Sequence, residues 1–307
     1  MPNYISARAT AFLERNKGLV SKKTLEILWG KWLTNATLHQ VVSAIWPKHR
    51  PKNWIVLVGS YNSGTTILKE IITSHPDVAS FHLEATRYTK VFTRPETLGW
   101  TRNWLKIRDY IALPNEKDEP KYQQLLRDLS PLWNRRATHY LEKSITNIER
   151  IGWINQNFPN VKFVVILRNG YAATEGMIRK ANPTGQAAQA YGKDKYEFSF
   201  AGQQWEMGNK HLFEALEKME NYKLIRYEDM CANPQAVLSD LLTWLGLDMQ
   251  HYRFDGGNIW AGSRMFTLKN RNQNSFKALK PDDIAAFNQA VGSYMQQLGY
   301  PLLGTGK

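Results

Sequence analysis

Small and hydroxyl-bearing residues crowd into one short stretch of this chain, Gly59, Ser63, Gly64, Thr65 and Thr66, in a pattern that suits an anion. Residues 54–72 read WIVLVGSYNSGTTILKEII. The apolar run Ile55, Val56, Leu57 and Val58 predicts a buried strand, and Ile67, Leu68, Ile71 and Ile72 recur at helical spacing. A turn between a strand and a helix gathers backbone N–H groups at the positive end of the helix dipole, where a phosphate is favoured. Gly59 and Gly64 have the spacing of the triphosphate loop G-x-x-x-x-G-K-[ST], but Thr65 replaces the lysine that grips the β- and γ-phosphates. That exchange argues against ATP or GTP hydrolysis and for a nucleotide with a shorter phosphate arm. The bland alternative is a tight turn with no ligand.

The rest of the chain must position this loop. At 307 residues it has room for one large α/β domain or two small ones. Forty Lys and Arg against 27 Asp and Glu give a net charge of +13, which favours anionic partners. No aromatic RNA motif, zinc-finger spacing or helix-turn-helix pattern points to nucleic acid. Cys231 is the only cysteine, so no intramolecular disulfide forms and a reducing, cytoplasmic setting is expected. No apolar stretch approaches the roughly 20 residues of a membrane span, and the first residues show no signal-peptide h-region, so a soluble chain is expected. Residues 3–46 predict two or three amphipathic helices ending at Pro47. Residues 93–139 read as irregular helix, and 182–204, with Pro183, Gly185, Gly192 and Gly202, as an exposed loop. Strand runs at 161–167 and 223–227 alternate with helical segments, which predicts a parallel sheet covered on both faces. Ligands of such sheets bind at the C-terminal strand ends.

Three further segments carry a resemblance: HPDVASFHLEATR at 75–87, EKSITNIERIGWINQNFPNVKFVVILRNGYAATEGMIRK at 142–180, and LIRYEDMCANPQAVLSDLLTWLGLD at 224–248, with a closing LGYP at 298–301. Together with SGTT they resemble the sulfotransferase superfamily, nearest to its tyrosylprotein and carbohydrate branches. The resemblance runs from about residue 53 to 301. It implies a sulfuryl donor, 3′-phosphoadenosine 5′-phosphosulfate (PAPS), leaving 3′-phosphoadenosine 5′-phosphate. It also implies a three-layer α/β/α fold with a central parallel sheet. Residues 1–50 would then be a helical segment packed on an α/β domain spanning 51–307.

The resemblance also assigns residues. Ser63, Gly64, Thr65 and Thr66 match the loop that holds the 5′-phosphosulfate. Arg168 matches the arginine of the 3′-phosphate, a task that suits its planar fork. Lys180 falls at a second basic position, Tyr227 at the end of the next strand, and Lys269 in a late loop closing over the nucleotide, with Arg264 and Arg271 nearby. Two positions depart from the pattern. Asn62 stands where a Lys or Arg precedes SGTT, and Gly176 stands where a serine bonds the 3′-phosphate. Lys143, matching the lysine of the second strand, is expected to replace the missing charge.

The reaction needs a base. Residues 80–84 read as a short strand, which puts His82 and Glu84 on one face and Phe81 and Leu83 on the other. Glu84 matches the glutamate base of the resembling branches, His82 is the alternative, and Arg87 could orient either the base or the acceptor. The seven histidines are scattered, so no metal is expected. The expected reaction is sulfuryl transfer to a hydroxyl or amine of a small-molecule or carbohydrate acceptor, by a chain compatible with a homo-oligomer. A nucleotide-binding protein with impaired catalysis and a metabolite kinase are the competing readings.

Overall fold

The computed structural model describes residues 22–191, 195–262 and 264–304. Its centre is a five-stranded sheet of β1 (Asn53–Val58), β2 (Val78–Ala79), β3 (His139–Glu142), β4 (Val161–Leu167) and β5 (Tyr222–Arg226), ordered β2-β3-β1-β4-β5. Every pairing is parallel, with Val56 of β1 opposite both Glu142 and Phe163. The middle strands are buried on both faces, as a parallel sheet between helices requires.

Alternate residues of β1 and β4 feed two different cores. Trp54, Val56, Val58, Phe163 and Val165 join Trp153, Trp205 and Phe287 on one face. Ile55, Leu57, Val164 and Ile166 join Leu68, Ile71, Leu238 and Leu242 on the other. Each fully buried aliphatic side chain contributes roughly 1.5–3 kcal/mol, so a one-residue register slip would forfeit both cores. Two helices, α1 (Lys22–Trp32) and α2 (Ala36–Ile45), precede the sheet, and α3 (Thr65–Ile72) follows β1. Next come α4 (Glu119–Leu129), α5 (Ile151–Asn157) and α6 (Gly170–Lys180). The chain continues through α7 (Gly185–Tyr191), α8 (Phe198–Leu216), α9 (Tyr227–Ala232) and α10 (Pro234–Leu245). It closes with α11 (Asn272–Phe276) and α12 (Pro281–Gln297). Helices α3 and α10 cover one face of the sheet, and α5, α6, α8 and α12 the other. This is the expected three-layer α/β/α fold.

Part of the expected organisation changes. The described part of 182–204 is mostly helical rather than a loop. It holds α7 and the start of α8, whose Phe198, Phe200, Ala201 and Gln204 are buried. Gly202 allows close packing, since a Cβ there would lie 2.8 Å from the Phe287 ring, whereas Gly185 meets nothing within 4 Å and Gly192 lies outside the described residues. An antiparallel sheet of β6 (Tyr252–Asp255), β7 (Asn258–Ala261) and β8 (Arg264–Thr267) was not expected. It sits against α3, with Tyr252 Oη donating to the Ile71 carbonyl at 3.1 Å and Arg264 paired with Glu70 at 2.7 Å. Of the helices expected in residues 3–46, α1 and α2 are described, and 1–21 lie outside the described residues. Leu33 is buried in the main core, and Trp29 Nε1 donates to the Pro131 carbonyl at 2.9 Å, so the α1–α2 hairpin rests on the segment after α4. Among the described residues, no helix is long and apolar enough to cross a membrane.

Candidate active site

The loop from β1 to α3 carries two residues with left-handed backbone, Asn62 (φ 62°) and Gly64 (φ 103°). Gly64 caps α3 without a side-chain hydrogen bond, so the first turn keeps N–H groups available to an anion. A side chain at Gly64 would be strained by its φ and would also meet the Tyr227 ring, with a Cβ only 2.8 Å away. Ser63 is fully buried, and among the described residues neither its Oγ nor the buried Asn62 Nδ2 has a hydrogen-bond partner. Thr65 is buried, whereas Thr66 is exposed at the loop rim. Idle buried donors beside an uncapped helix start are what a phosphate site looks like before its ligand arrives.

Arg168 follows β4, the neighbour of β1, so both arrive at the same strand-end crevice. Its Nη1 donates to the Asn62 carbonyl at 2.6 Å and its Nε to Asn272 Oδ1 at 2.9 Å. Its guanidinium lies 4.3 Å from the Tyr227 ring centroid. Burial lowers the Arg168 pKa, opposed by Tyr227 and Glu228. Lys180, in the last turn of α6, donates to Asn62 Oδ1 at 2.9 Å. Burial also lowers the Lys180 pKa, and Arg102, Arg179 and Arg168 lower it further. That concentration of positive charge suits an anion.

Tyr227 does not close a strand; it is the first residue of α9. Its Oη donates to the Lys269 carbonyl at 3.0 Å and accepts from Arg271 N at 3.3 Å. The segment expected to close over the nucleotide is therefore tied down through its backbone, and the Lys269 side chain is exposed. Gly176 lies buried in α6 directly beneath the Asn62 side chain.

The other side of the cleft is built on β3. Lys143, just past its end, donates to Glu84 Oε1 at 2.8 Å. Residues 80–84 are not a strand: β2 stops at Ala79, and His82 and Glu84 share no sheet face. The buried ammonium of Lys69 explains this, because it takes the Phe81 carbonyl at 2.6 Å and the His82 carbonyl at 3.5 Å, oxygens that a ladder would need. Burial, with Lys143 adding to it, pushes the Lys69 pKa down to about 8. His82 is exposed and Glu84 half-buried.

Sequence reasoning missed the supports of both sides. Glu142, fully buried at the end of β3, accepts from Ser144 Oγ and Asn147 Nδ2, and from Ala85 N at 3.3 Å. It thus ties residue 85, next to Glu84, to the strand that carries Lys143; burial raises its pKa. On the anion side, Glu228 accepts from Asn169 N at 3.0 Å and Asn272 Nδ2 at 2.7 Å. Glu228 had a signal, an acidic residue in the first turn of a helix after a strand; Asn272 had none. Near Tyr61, whose pKa burial and then Glu96 and Glu84 raise, stands Arg102, 5.7 Å from the ring. Arg94 neighbours Arg87, Glu96 and Glu84 in the same region. Among the described residues, no cluster of three or more His, Cys, Asp or Glu is placed to hold a metal.

A model described as "Sulfotransferase family" matches residues 54–251, which hold the loop, Glu84, Lys143, Arg168 and Tyr227. Protein-tyrosine sulfotransferase 1 of Danio rerio is 21% identical over 244 residues, covering 78% of this chain and 65% of the relative. Protein-tyrosine sulfotransferase 1 of Homo sapiens is 26% identical over 148 residues, covering 47% of this chain and 39% of the relative. The chain therefore spans less than two thirds of either relative. A solved sulfotransferase domain from the curacin biosynthetic pathway aligns over 83% of this chain and all of its own, at 20% identity and a TM-score of 0.48.

Proposed function

This chain belongs to the sulfotransferase family, and we propose from that premise that it moves a sulfuryl group from PAPS to an acceptor hydroxyl, with Glu84 as base. The observation that carries the reading is the Lys143–Glu84 pair, 2.8 Å apart, at the end of a strand adjacent to the one that feeds the phosphate loop. Family membership removes the kinase reading, which the missing loop lysine already disfavoured.

The residues present fit the donor nucleotide. The unpartnered Ser63 Oγ and the open first turn of α3 would hold its 5′-phosphosulfate arm. Arg168 and Lys180 would hold its 3′-phosphate. When bound, PAPS supplies the activated sulfuryl group. The chain's own work is positioning and charge balance. Lys143 fixes the Glu84 carboxylate, Glu142 fixes the backbone beside it, and Glu84 takes the acceptor's proton. Once Glu84 is protonated it no longer holds the Lys143 ammonium by charge, so Lys143 is free to balance negative charge on the loop side.

For the acceptor, the names of the relatives supply protein tyrosine, and Arg87, Arg94 and Arg102 beside Glu84 and Tyr61 suit an acceptor with acidic neighbours. We therefore take a tyrosyl hydroxyl flanked by acidic residues as the acceptor, ahead of a small alcohol or sugar. The test is transfer from radiolabelled PAPS to three acceptors: an acidic tyrosine peptide, a simple phenol and a sugar. The peptide is expected to be labelled fastest. Faster labelling of phenol or sugar would restore the small-molecule acceptor. Tight binding of the 3′,5′-bisphosphate with no transfer to any acceptor would leave a nucleotide-binding protein, the second reading, which the loss of a loop cation at Asn62 favours.

A further inference from the structure

The two departures from the family pattern touch each other. A Cβ built on Gly176 would lie 2.9 Å from Asn62 Cγ, 3.1 Å from its Cβ and 3.2 Å from its Nδ2. The carboxamide of Asn62 thus fills the volume that any side chain at 176 would need. We infer that Asn62 and Gly176 are a compensating exchange, in which the Asn62 amide donates to the 3′-phosphate in place of the hydroxyl missing at 176; the inference rests on the nucleotide assignment proposed above.

Three independent features converge on this role. The first is orientation. Lys180 Nζ can only donate, and it lies 2.9 Å from one end of the carboxamide, so that end is the oxygen Oδ1. The amide nitrogen is then turned the other way. The second is availability: Asn62 Nδ2 is buried and has no hydrogen-bond partner among the described residues, although its two N–H groups need one. The third is rigidity. Asn62 holds a left-handed backbone at φ 62°, which asparagine tolerates better than most side chains, and its carbonyl is pinned by Arg168 Nη1 at 2.6 Å. The two basic residues assigned to the 3′-phosphate therefore both grip Asn62, one through its backbone and one through its side chain. A hydroxyl on α6 has been exchanged for an amide on the phosphate loop, and glycine at 176 is the condition for that exchange.

Calorimetric titration with adenosine 3′,5′-bisphosphate and with adenosine 5′-monophosphate tests this on the full chain. The wild type is expected to prefer the bisphosphate. Asn62→Ala should reduce that preference roughly tenfold to a hundredfold, the range for losing a hydrogen bond to a charged group. Gly176→Ser alone should also weaken bisphosphate binding, because its new Cβ collides with the carboxamide. In Asn62→Ala the same Gly176→Ser should instead restore the preference, since the serine then has both the space and the ligand. That reversal of sign separates the exchange from simple packing, which would move the melting temperature of both variants without restoring the preference. Unchanged preference in Asn62→Ala, or a double variant no better than Asn62→Ala, overturns the exchange while leaving the nucleotide assignment in place. A wild type that binds neither nucleotide overturns both.

Discussion

Arg168 and Glu84 stand on opposite sides of the phosphate loop, on the β4 and β3 sides of β1, and they are held in different ways. Arg168 is anchored at Asn62 and Asn272, lies over Tyr227, and belongs to a net that runs on through Glu228 and Tyr300. Among the described residues Glu84 has one ion pair, to Lys143, and sits on irregular backbone that Lys69 and Glu142 hold from behind. The anion side is thus a mesh around Arg168, Asn272 and Glu228, each with two or more partners, and the acceptor side is a chain in which Glu84 itself hangs on a single link. Removing one group should spread through the mesh but stay local in the chain.

The largest expected effect is at Glu84. Glu84→Gln keeps the shape but loses the proton acceptor, so turnover with PAPS should fall roughly 10²–10⁴-fold while bisphosphate affinity stays close to that of the wild type. Retained turnover in Glu84→Gln together with its loss in His82→Ala would move the base to His82. Arg168→Ala comes next. It should weaken bisphosphate binding by about 1.5–3 kcal/mol, with much less loss for the 5′-monophosphate. Because the mesh loses its centre, the melting temperature should fall as well; an unchanged melting temperature would show that the net is not cooperative.

Lys69 tests the acceptor side through pH. Its folded-state pKa, about 8, lies below the ordinary 10.5, so the unfolded chain binds more protons between those values. Stability should therefore rise with pH across that window. The full difference is roughly 3 kcal/mol, and urea unfolding between pH 7.5 and 9.5 should show part of it. Lys69→Met should lack this rise, and parallel curves for the two proteins would show that Lys69 bears no burial penalty. The window stops short of pH 10 because buried tyrosines such as Tyr88 and Tyr122, raised to about 12, act in the opposite direction there. The smallest effect belongs to Lys269. Its side chain is exposed and only its carbonyl is used, so Lys269→Ala should change nucleotide affinity less than Tyr227→Phe, which loses both bonds of its hydroxyl. The reverse order would return Lys269 to direct phosphate contact.

The same contrast explains what could be read from the sequence. The anion side was legible because regular elements place it: a β-strand period, a glycine turn and a helical period fix where Ser63 to Thr66 must lie. Arg168 is likewise fixed by the end of a buried strand. On the acceptor side Glu84 and Lys143 were identified by resemblance, yet 80–84 was expected as a strand. Alternation over five residues cannot reveal a buried lysine 12 to 13 positions earlier that takes two carbonyls out of the ladder. Glycine and proline in 182–204 imitate a loop, but helix α8 uses Gly202 to let Phe287 approach. The contact between Asn62 and Gly176 joins residues 114 apart in number, so no local pattern could announce it.

The last link of the anion mesh has a consequence for the order in which the molecule is assembled. Asn272 reaches Arg168 across 104 positions of sequence, and Arg226 donates to the Leu298 carbonyl across 72. During synthesis, β1 to β5 emerge before either partner exists, because the chain is made from its N-terminal end. Contacts of such separation also form late, since the loop they close must be ordered first. The sheet should therefore be in place while the cleft is still unfinished, and nucleotide added to a growing chain would meet an Arg168 that lacks its Asn272 support until that stretch has docked.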